Sequence, residues 1–470
     1  MIQTDVLIIG AGILGACVAR ECSKYRMDII LLEKNNEACQ ETSKANSGIL
    51  HAGYDPLPGT LKATLNKRGV ALYRELKDIL DIPYEETGSL VLASTEEEKK
   101  ILHALYQRGL DHGIHDLKIL GADETRDREP QVSDEVVASL YAPRAAIICP
   151  FNATFAFLES AIINGVDFRV REEVIAIEKK EGGFIVRTQG ETYQCSILIS
   201  AAGAHTERLA TELGDSLQPT FTRRGEYRVL DLSERVHYKR VLFQLPTELG
   251  KGILVAPTVH GNVLLGPTSI KQESRSDSSV SEEGLALVDG QLKNLIRRVR
   301  LEKTIRVFSG LRTSSESGDF DITRGASGAY HLNGIDSPGL ASAPAIAEYV
   351  LELIRKDHEL LKKDHFIPER KGITLFKDMS ASEQEKLMKE DPDYGDVVCR
   401  CEKITLAGIK AAIRHGATTI GGVKRRVRPG SGRCQGGFCE HRVMRILAAE
   451  LHKDISEIEK ERPGSWMVRP

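Results

Sequence analysis

The stretch that decides the fold is DVLIIGAGILG, residues 5–15. Its apolar half predicts a short buried strand, and its GxGxxG glycines predict a tight turn that leads into a helix of small and apolar residues. The segment IILLEK, residues 29–34, predicts a second strand that ends at Glu33. This order of strand, glycine turn, helix, strand and acid predicts dinucleotide binding in a Rossmann-like α/β domain.

Each motif residue has a physical role in such a site. Gly10 permits the turn, Gly12 lets a pyrophosphate approach the backbone, and Gly15 lets helix and strand pack closely. The helix N-terminus offers free N–H groups to the phosphates. Glu33 lies 23 residues after Gly10, where its carboxylate can accept both ribose hydroxyls. The motif alone leaves NAD and FAD open.

Three other segments favour FAD. The small and polar run CQETSKANSG, residues 39–48, can wrap a pyrophosphate and a flavin ring. The strand EVIAI, residues 173–177, can lay Val174 against an adenine. The segment CSILISAAGAHTERLA, residues 195–210, predicts a buried strand, a second glycine turn and a helix. A cofactor held by distant chain segments suits FAD.

Composition limits the class of protein. The 470 residues carry a net charge of -3 and are 41% apolar, which is typical of a soluble globular protein of two to four domains. The near-neutral charge argues against a nucleic-acid partner. No apolar run reaches the roughly 18 residues that cross a bilayer, and the first residues, MIQTD, do not resemble a signal peptide. We therefore expect no direct membrane span and a cytoplasmic protein.

Four of the nine cysteines fall within residues 399–439, as Cys399-x-Cys401 and Cys434-x4-Cys439. Four thiolates predict a [2Fe–2S] cluster or, alternatively, a tetrahedral Zn site. Helices are expected over residues 406–415 and 439–451, the first with Thr405 as N-cap. Both N-termini would then point towards the anionic thiolates.

A basic run accompanies these cysteines, and the chain ends in a Pro-containing tail. The run is interpreted either as a solvated loop or as charge that compensates the cluster or docks an acidic partner. The tail, residues 456–470, is either disordered or a docking strap. The basic residues are Lys424, Arg425, Arg426, Arg428 and Arg433.

Several segments together resemble a known superfamily. The opening motif, SKANSGILHAGY (residues 43–54), the AAGA turn (201–204) and GLASAPAIAEYV (339–350) resemble the D-amino-acid-oxidase-type flavoproteins. Among these, the similarity is greatest to FAD-dependent glycerol-3-phosphate dehydrogenases and oxidases and to L-2-hydroxyglutarate oxidases. This resemblance covers about residues 1–365. The pattern CxC…CQGGFC resembles the bacterioferritin-associated-ferredoxin-type [2Fe–2S] domain, which is found fused to such dehydrogenase subunits.

The resemblance implies residue roles. Ser47 and His51 would face the substrate, with His51 taking the hydroxyl proton; alternatively His51 only hydrogen-bonds the flavin or a loop carbonyl. Lys251 and Arg312 would grip a phosphate or carboxylate, although Lys251 can also be an exposed loop charge. Ser342 would lie beside the substrate or act as an N-cap. The predicted cofactor residues are Gly10, Gly12, Ile13, Leu14, Gly15, Glu33, Lys34, Thr42, Ser43, Asn46, Ser47, Val174, Ala202, Gly203, Gly310, Arg312, Gly339, Ala341 and Ser342.

The predicted fold class is α/β and α+β: a Rossmann-like FAD domain, an antiparallel-sheet substrate cap and a small helical iron–sulfur module. The predicted parts are an FAD domain (1–80, 150–220 and 325–365), a cap (81–149 and 221–324), a linker (366–394), a [2Fe–2S] module (395–455) and a tail (456–470).

The predicted activity is oxidation of sn-glycerol 3-phosphate to dihydroxyacetone phosphate, with electrons passing through the cluster to an electron-accepting protein; a hetero-oligomer is one expected assembly. The alternatives are oxidation of L-2-hydroxyglutarate, another 2-hydroxy acid or an amine; an electron-transfer subunit; and a Zn-stabilised binding protein. A Ser–His–Asp hydrolase is excluded because no GxSxG elbow surrounds Ser47 or His51.

Overall fold

The computed structural model describes residues 1–245 and 252–468. The strands in these ranges are β1 (Ile2–Ile9), β2 (Ile29–Glu33), β3 (Ile49–Leu50), β4 (Tyr84–Glu85), β5 (Ser89–Ala93), β6 (Lys118–Gly121), β7 (Ala138–Ala142), β8 (Ala146–Ile148), β9 (Asp167–Val170), β10 (Val174–Lys180), β11 (Gly183–Thr188), β12 (Thr192–Ser200), β13 (Thr220–Leu230), β14 (Val241–Phe243), β15 (Leu254–Pro257), β16 (Val263–Gly266), β17 (Ile270–Gln272), β18 (Thr304–Ser315), β19 (Asp321–Arg324), β20 (Tyr330–Asn333), β21 (Val397–Cys399) and β22 (Ile404–Thr405).

The helices of the same ranges are α1 (Ile13–Cys22), α2 (Leu61–Leu76), α3 (Glu96–Asp111), α4 (Ala122–Arg128), α5 (Pro150–Ile163), α6 (Thr206–Glu212), α7 (Glu282–Leu292), α8 (Gly339–Arg355), α9 (Ala381–Glu390), α10 (Leu406–Arg414), α11 (Ile420–Val427) and α12 (Glu440–Glu450). None of them is both long and apolar enough to cross a membrane.

The first sheet has a parallel core. Strands β20, β12, β1, β2 and β9 run parallel. Strand β11 pairs antiparallel with the part of β12 that β20 does not contact, and β10 lies on the other side of β11. Leu7 and Ile8 of β1 are completely buried on opposite faces of the sheet. Ile8 belongs to a core that includes residues of α1, α5 and α8, and Leu7 belongs to a core that includes residues of β10 and β11. Helix α1 lies close to the turn, since a Cβ at Gly15 would stand 1.9 Å from the Gly10 carbonyl oxygen. The predicted strand–turn–helix unit is therefore present.

The second sheet is almost entirely antiparallel. Its order is β17-β13-β16-β15-β14-β5-β7-β6, with β18 also paired to β13, and only β14 and β5 run parallel. The pairing of β15 and β16 places Leu254 opposite Gly266 and forms the hairpin that the sequence indicated. A parallel-core sheet beside an antiparallel cap confirms the predicted fold class.

The exact domain boundaries stay a prediction. Strand β19 pairs with β20 in the first sheet, although residues 321–324 were assigned to the cap. This pairing favours a boundary near residue 321 rather than residue 325. A small third sheet, β3-β8-β4, joins segments of both predicted domains.

The C-terminal module has its own apolar core, which includes Ile409, Val423 and Leu447. Helices α10 and α12 lie where the sequence predicted them, and the Thr405 side chain accepts a hydrogen bond from the Gly408 amide at 3.2 Å as the expected N-cap. Helix α11 was not predicted because its Gly-Gly and Arg-rich sequence is typical of a loop. Thr419 caps it through the Gly422 amide at 2.9 Å.

The basic run is not a solvated loop, which corrects that interpretation. Arg425 and Arg426 are buried, and both form ion pairs with the buried carboxylate of Glu37 on the flavin domain. Glu37 also accepts hydrogen bonds from the Thr418 and Thr419 amides at 2.8 and 3.1 Å. The run therefore serves mainly to attach the module to the rest of this chain.

The tail acts as a strap over the described part of its length. Glu459 accepts a hydrogen bond from Asn36 at 2.8 Å and pairs with Arg171. Glu461 pairs with both Lys44 and Arg425. Ile458 is 1% exposed within the module core, so the packed module extends beyond the predicted limit of residue 455.

Candidate active site

A cavity of about 650 Å³ lies between the two large sheets. Its size is in the range of sites that hold cofactor-sized ligands. Most of the predicted cofactor and substrate residues line it: Gly10, Gly12, Ile13, Leu14, Glu33, Lys34, Thr42, Ser43, Asn46, Ser47, His51, Val174, Ala202, Gly203, Arg312, Gly339 and Ala341.

One end of the cavity is built by the glycine turn. Gly10 has φ +100°, and a Cβ there would stand 2.6 Å from the Ala201 carbonyl oxygen, so only glycine fits. The Ser43 hydroxyl accepts a hydrogen bond from the Ile13 amide at the start of α1 (2.9 Å). Glu33 accepts from the Ala11 amide at 2.9 Å, and burial raises the pKa of its carboxyl. This end fits the ribose and pyrophosphate of a dinucleotide.

Three predicted site residues do not line the cavity. Gly15 and Gly310 act through packing: a Cβ at Gly310 would stand 2.0 Å from the Ala45 carbonyl oxygen, so β18 lies directly against the cofactor loop. Ser342 is fully buried within the first turn of α8, close to Gly69 of α2. Its N-cap interpretation is wrong because α8 begins at Gly339, with Pro338 at the N-cap position. Lys251 lies outside the described residues.

The other end of the cavity brings together Ser47, His51 and Arg312. The His51 ring lies 5.5 Å from the Phe243 ring, at an angle of 32°. Arg312 donates a weak hydrogen bond to the Thr268 carbonyl oxygen at 3.4 Å, and within residues 1–245 and 252–468 no carboxylate lies within 4.0 Å of it. A guanidinium without a carboxylate partner beside an open cavity can bind an anionic ligand.

Tyr227 also lines this end, and sequence reasoning missed it. Its side chain interacts with Ser47 and Arg312, which oppose the rise in the pKa of the phenol that burial causes. Its ring stacks on Phe308 at 4.6 Å, across the β13–β18 register that pairs the two residues. The sequence indicated only that Tyr227 lies in the strand segment RRGEYRVL. A strand pattern alone does not tell which face of the strand lines a cavity.

The four clustered cysteines form two pairs. The sulfurs of Cys401 and Cys434 are 3.9 Å apart. The Cys439 thiol donates to Cys399, and this hydrogen bond lowers the pKa of Cys399. In the described part of the chain no group of three or more His, Cys, Asp or Glu side chains is arranged around a single metal ion. Two thiol pairs fit a two-iron cluster, in which each iron takes two thiolates.

Comparison with known proteins identifies the class. The profile of the DAO family, described as FAD dependent oxidoreductase, matches residues 5–353, and a BFD-like [2Fe-2S] binding domain matches residues 397–449. The chain belongs to the FAD-dependent oxidoreductase family. It is an FAD enzyme with a C-terminal [2Fe–2S] domain, as the resemblance implied.

Particular relatives are similar over most or all of the chain. A glycerol 3-phosphate dehydrogenase of Caloramator mitchellensis is 41% identical over 469 residues, covering 99% of this chain and 98% of the relative. A glycerol 3-phosphate oxidase of Mycoplasma genitalium is 34% identical and covers 77% of this chain and 97% of its own. The FAD-bound L-alpha-glycerophosphate oxidase structure from Mycoplasma pneumoniae superposes with a TM-score of 0.76 at 31% identity, covering 79% of this chain and 99% of the oxidase.

Proposed function

We propose that this enzyme oxidises sn-glycerol 3-phosphate to dihydroxyacetone phosphate. The observation that carries the proposal is that a histidine, His51, and an arginine, Arg312, face one end of the same cavity. A secondary alcohol that bears a phosphate needs a proton acceptor for its hydroxyl and a cation for its anion. The names of the C. mitchellensis and M. genitalium relatives support the same substrate.

The residues at this end of the cavity have separate roles in substrate binding and proton transfer. Arg312 binds the phosphate through two parallel N–H donors, a geometry that a lysine lacks. Ser47 and Tyr227 hold the substrate and the Arg312 side chain in place through their hydroxyls. His51 takes the proton from the substrate hydroxyl. FAD, when bound along Gly10, Gly12 and the 42–47 loop, supplies the hydride acceptor.

The position of the C-terminal module supports electron exit through it. Strands β13 and β18 carry Tyr227 and Arg312 at the cavity, and their other ends contact the thiol loops. Asp231, next to the end of β13, pairs with Arg433 beside Cys434. Tyr227 and Asp231 are four positions apart along the chain, a distance of about 13 Å at ~3.3 Å per residue. The same two strands thus line the cavity and contact the thiol loops, which supports electron exit through the module.

Substrate preference tests this proposal. The holoenzyme should reduce an artificial acceptor with glycerol 3-phosphate at a kcat/KM at least about 100-fold above that with L-2-hydroxyglutarate or glycine, since a mismatched anion geometry costs a few kcal/mol. A preference for L-2-hydroxyglutarate would contradict the proposal and identify that hydroxy acid as the substrate. Turnover of glycine would indicate an amine oxidase. If protein with full flavin content turned over none of the three compounds, the chain would be an electron-transfer subunit.

The partner and compartment belong to the same proposal. The [2Fe–2S] domain indicates electron transfer, and we propose that a separate protein accepts the electrons. The five cysteines outside the cluster site are buried and form no disulfide, which supports a reducing compartment such as the cytoplasm.

A further inference from the structure

The two thiol pairs differ in their exposure to solvent. Cys401 is exposed and Cys434 is half-buried, whereas Cys399 and Cys439 are buried. The exposed residues that accompany this pair are Arg400 and Lys403 beside Cys401, Arg433 and Phe438 in the loop of Cys434, and Arg306, which contacts Gln435 of that loop; we call them the thiol-loop face. An electron that leaves the module has its shortest way out through this face.

An aromatic side chain stands on the thiol-loop face. Phe438 is 83% exposed, the largest value for any large hydrophobic residue in the described ranges. It directly precedes the ligand Cys439, and its amide donates a hydrogen bond to Cys434. Phe438 does not belong to the apolar core of the module. Aromatic residues are enriched at the centres of protein interfaces.

The charges of this face are positive. Arg306, Arg400, Lys403 and Arg433 are all exposed, and Arg306 donates to Gln435 at 3.3 Å, which ties it to the thiol loop. The only acid of residues 399–403 is Glu402, which is buried and paired with Arg428, and residues 430–439 contain no acid. Arg433 alone of the four cations has a carboxylate partner in the described part of the chain, Asp231.

We propose that an acidic one-electron carrier protein docks on the thiol-loop face, with Phe438 at the centre of the contact. This rests on the proposed function, in which the module is the electron exit. Oxidation of each substrate C–H and O–H pair to C=O releases two electrons and two protons. Two carrier molecules accept one electron each, and the two protons pass to solvent.

The proposed contact is a transient encounter. Electron-transfer complexes lie at the low end of interface areas, under about 1,200 Å². In such complexes, cations around a small apolar centre raise the association rate and make it dependent on salt. The carrier is thus expected to be released again after each electron.

Direct binding tests the proposal without relying on turnover. The fully loaded, oxidised protein is titrated by calorimetry with an acidic plant-type [2Fe–2S] ferredoxin at low and at high salt. Arg400→Glu together with Lys403→Glu should weaken binding about tenfold or more at low salt and reduce the salt dependence. Phe438→Ala should weaken binding about five- to thirtyfold, because truncated interface aromatics cost roughly 1–2 kcal/mol.

One further test variant and one charge control complete the experiment. Arg306→Glu lies on β18, outside the module, so it cannot remove a cluster ligand, and it should also weaken binding. Lys99→Glu with Lys100→Glu on α3 changes the net charge equally and should leave binding unchanged.

Unchanged binding in the Arg400, Lys403 and Phe438 variants would overturn the proposal, as would tighter binding of basic cytochrome c. A shifted cluster potential with unaltered binding would show that the cations only balance cluster charge. Failure of glycerol 3-phosphate to reduce the flavin would remove the substrate assignment but not the docking result.

Discussion

At the scale of single residues, the account depends on His51 as the proton acceptor. Replacing His51 by Ala should lower kcat at saturating glycerol 3-phosphate by about 10²- to 10⁴-fold, the usual contribution of a general base. Flavin content, measured by absorbance, should be unchanged. His115→Ala, an exposed histidine after α3, is the matched control. Near-normal turnover of the His51 variant would leave this residue with no part in the chemistry.

Tyr227 gives a second prediction at this scale. Tyr227→Phe removes the hydroxyl that interacts with Ser47 and Arg312 but keeps the ring stacked on Phe308. One lost hydrogen bond of about 0.5–1.5 kcal/mol should raise KM for glycerol 3-phosphate about two- to tenfold and lower kcat less. Steady-state kinetics measures both. A large fall in kcat at constant KM would instead assign the phenol to the reacting atoms.

At the scale of elements, helix α2 packs on α8 through Gly69. A Cβ there would stand 2.2 Å from the Ala341 carbonyl oxygen, whereas a Cβ at Gly290 of α7 would meet nothing within 4 Å. Gly69→Ala should therefore destabilise the protein by at least ~1–3 kcal/mol through overpacking. Gly290→Ala should stabilise it by ~0.5–1 kcal/mol because alanine favours the helix. Thermal unfolding checks both; equal melting temperatures would refute the packing.

The elements also show how far the sequence could be interpreted. Strand β1, the turn at Gly10 and helix α1 were predictable because they depend on local periodicity and glycine spacing. Helix α11 was not, because its stability comes from the ion pairs of Arg425 and Arg426 with Glu37, almost 400 positions away. Tyr227 and the buried position of Ser342 depend in the same way on tertiary packing that no local pattern encodes.

At the scale of the whole molecule, Glu37 holds the module against the flavin domain. Glu37→Gln leaves Arg425 and Arg426 buried without their shared carboxylate, which should cost roughly 3–5 kcal/mol of docking. The linker, residues 366–394, should then be cleaved faster in limited proteolysis. Glu75→Gln on α2 is the control, because the Glu75–Arg68 pair is largely solvent-exposed and contributes less than about 1 kcal/mol. Equal cleavage of the two variants would contradict the docking role.

The central claim is that one chain carries electrons from a phosphorylated alcohol through FAD to the [2Fe–2S] domain. The most direct measurement is the absorbance spectrum of the holoenzyme under anaerobiosis before and after glycerol 3-phosphate is added. The account predicts that the flavin bands bleach and that the cluster absorbance then decreases without any added carrier. Unchanged flavin bands, or a bleached flavin beside a cluster that stays oxidised, would contradict it.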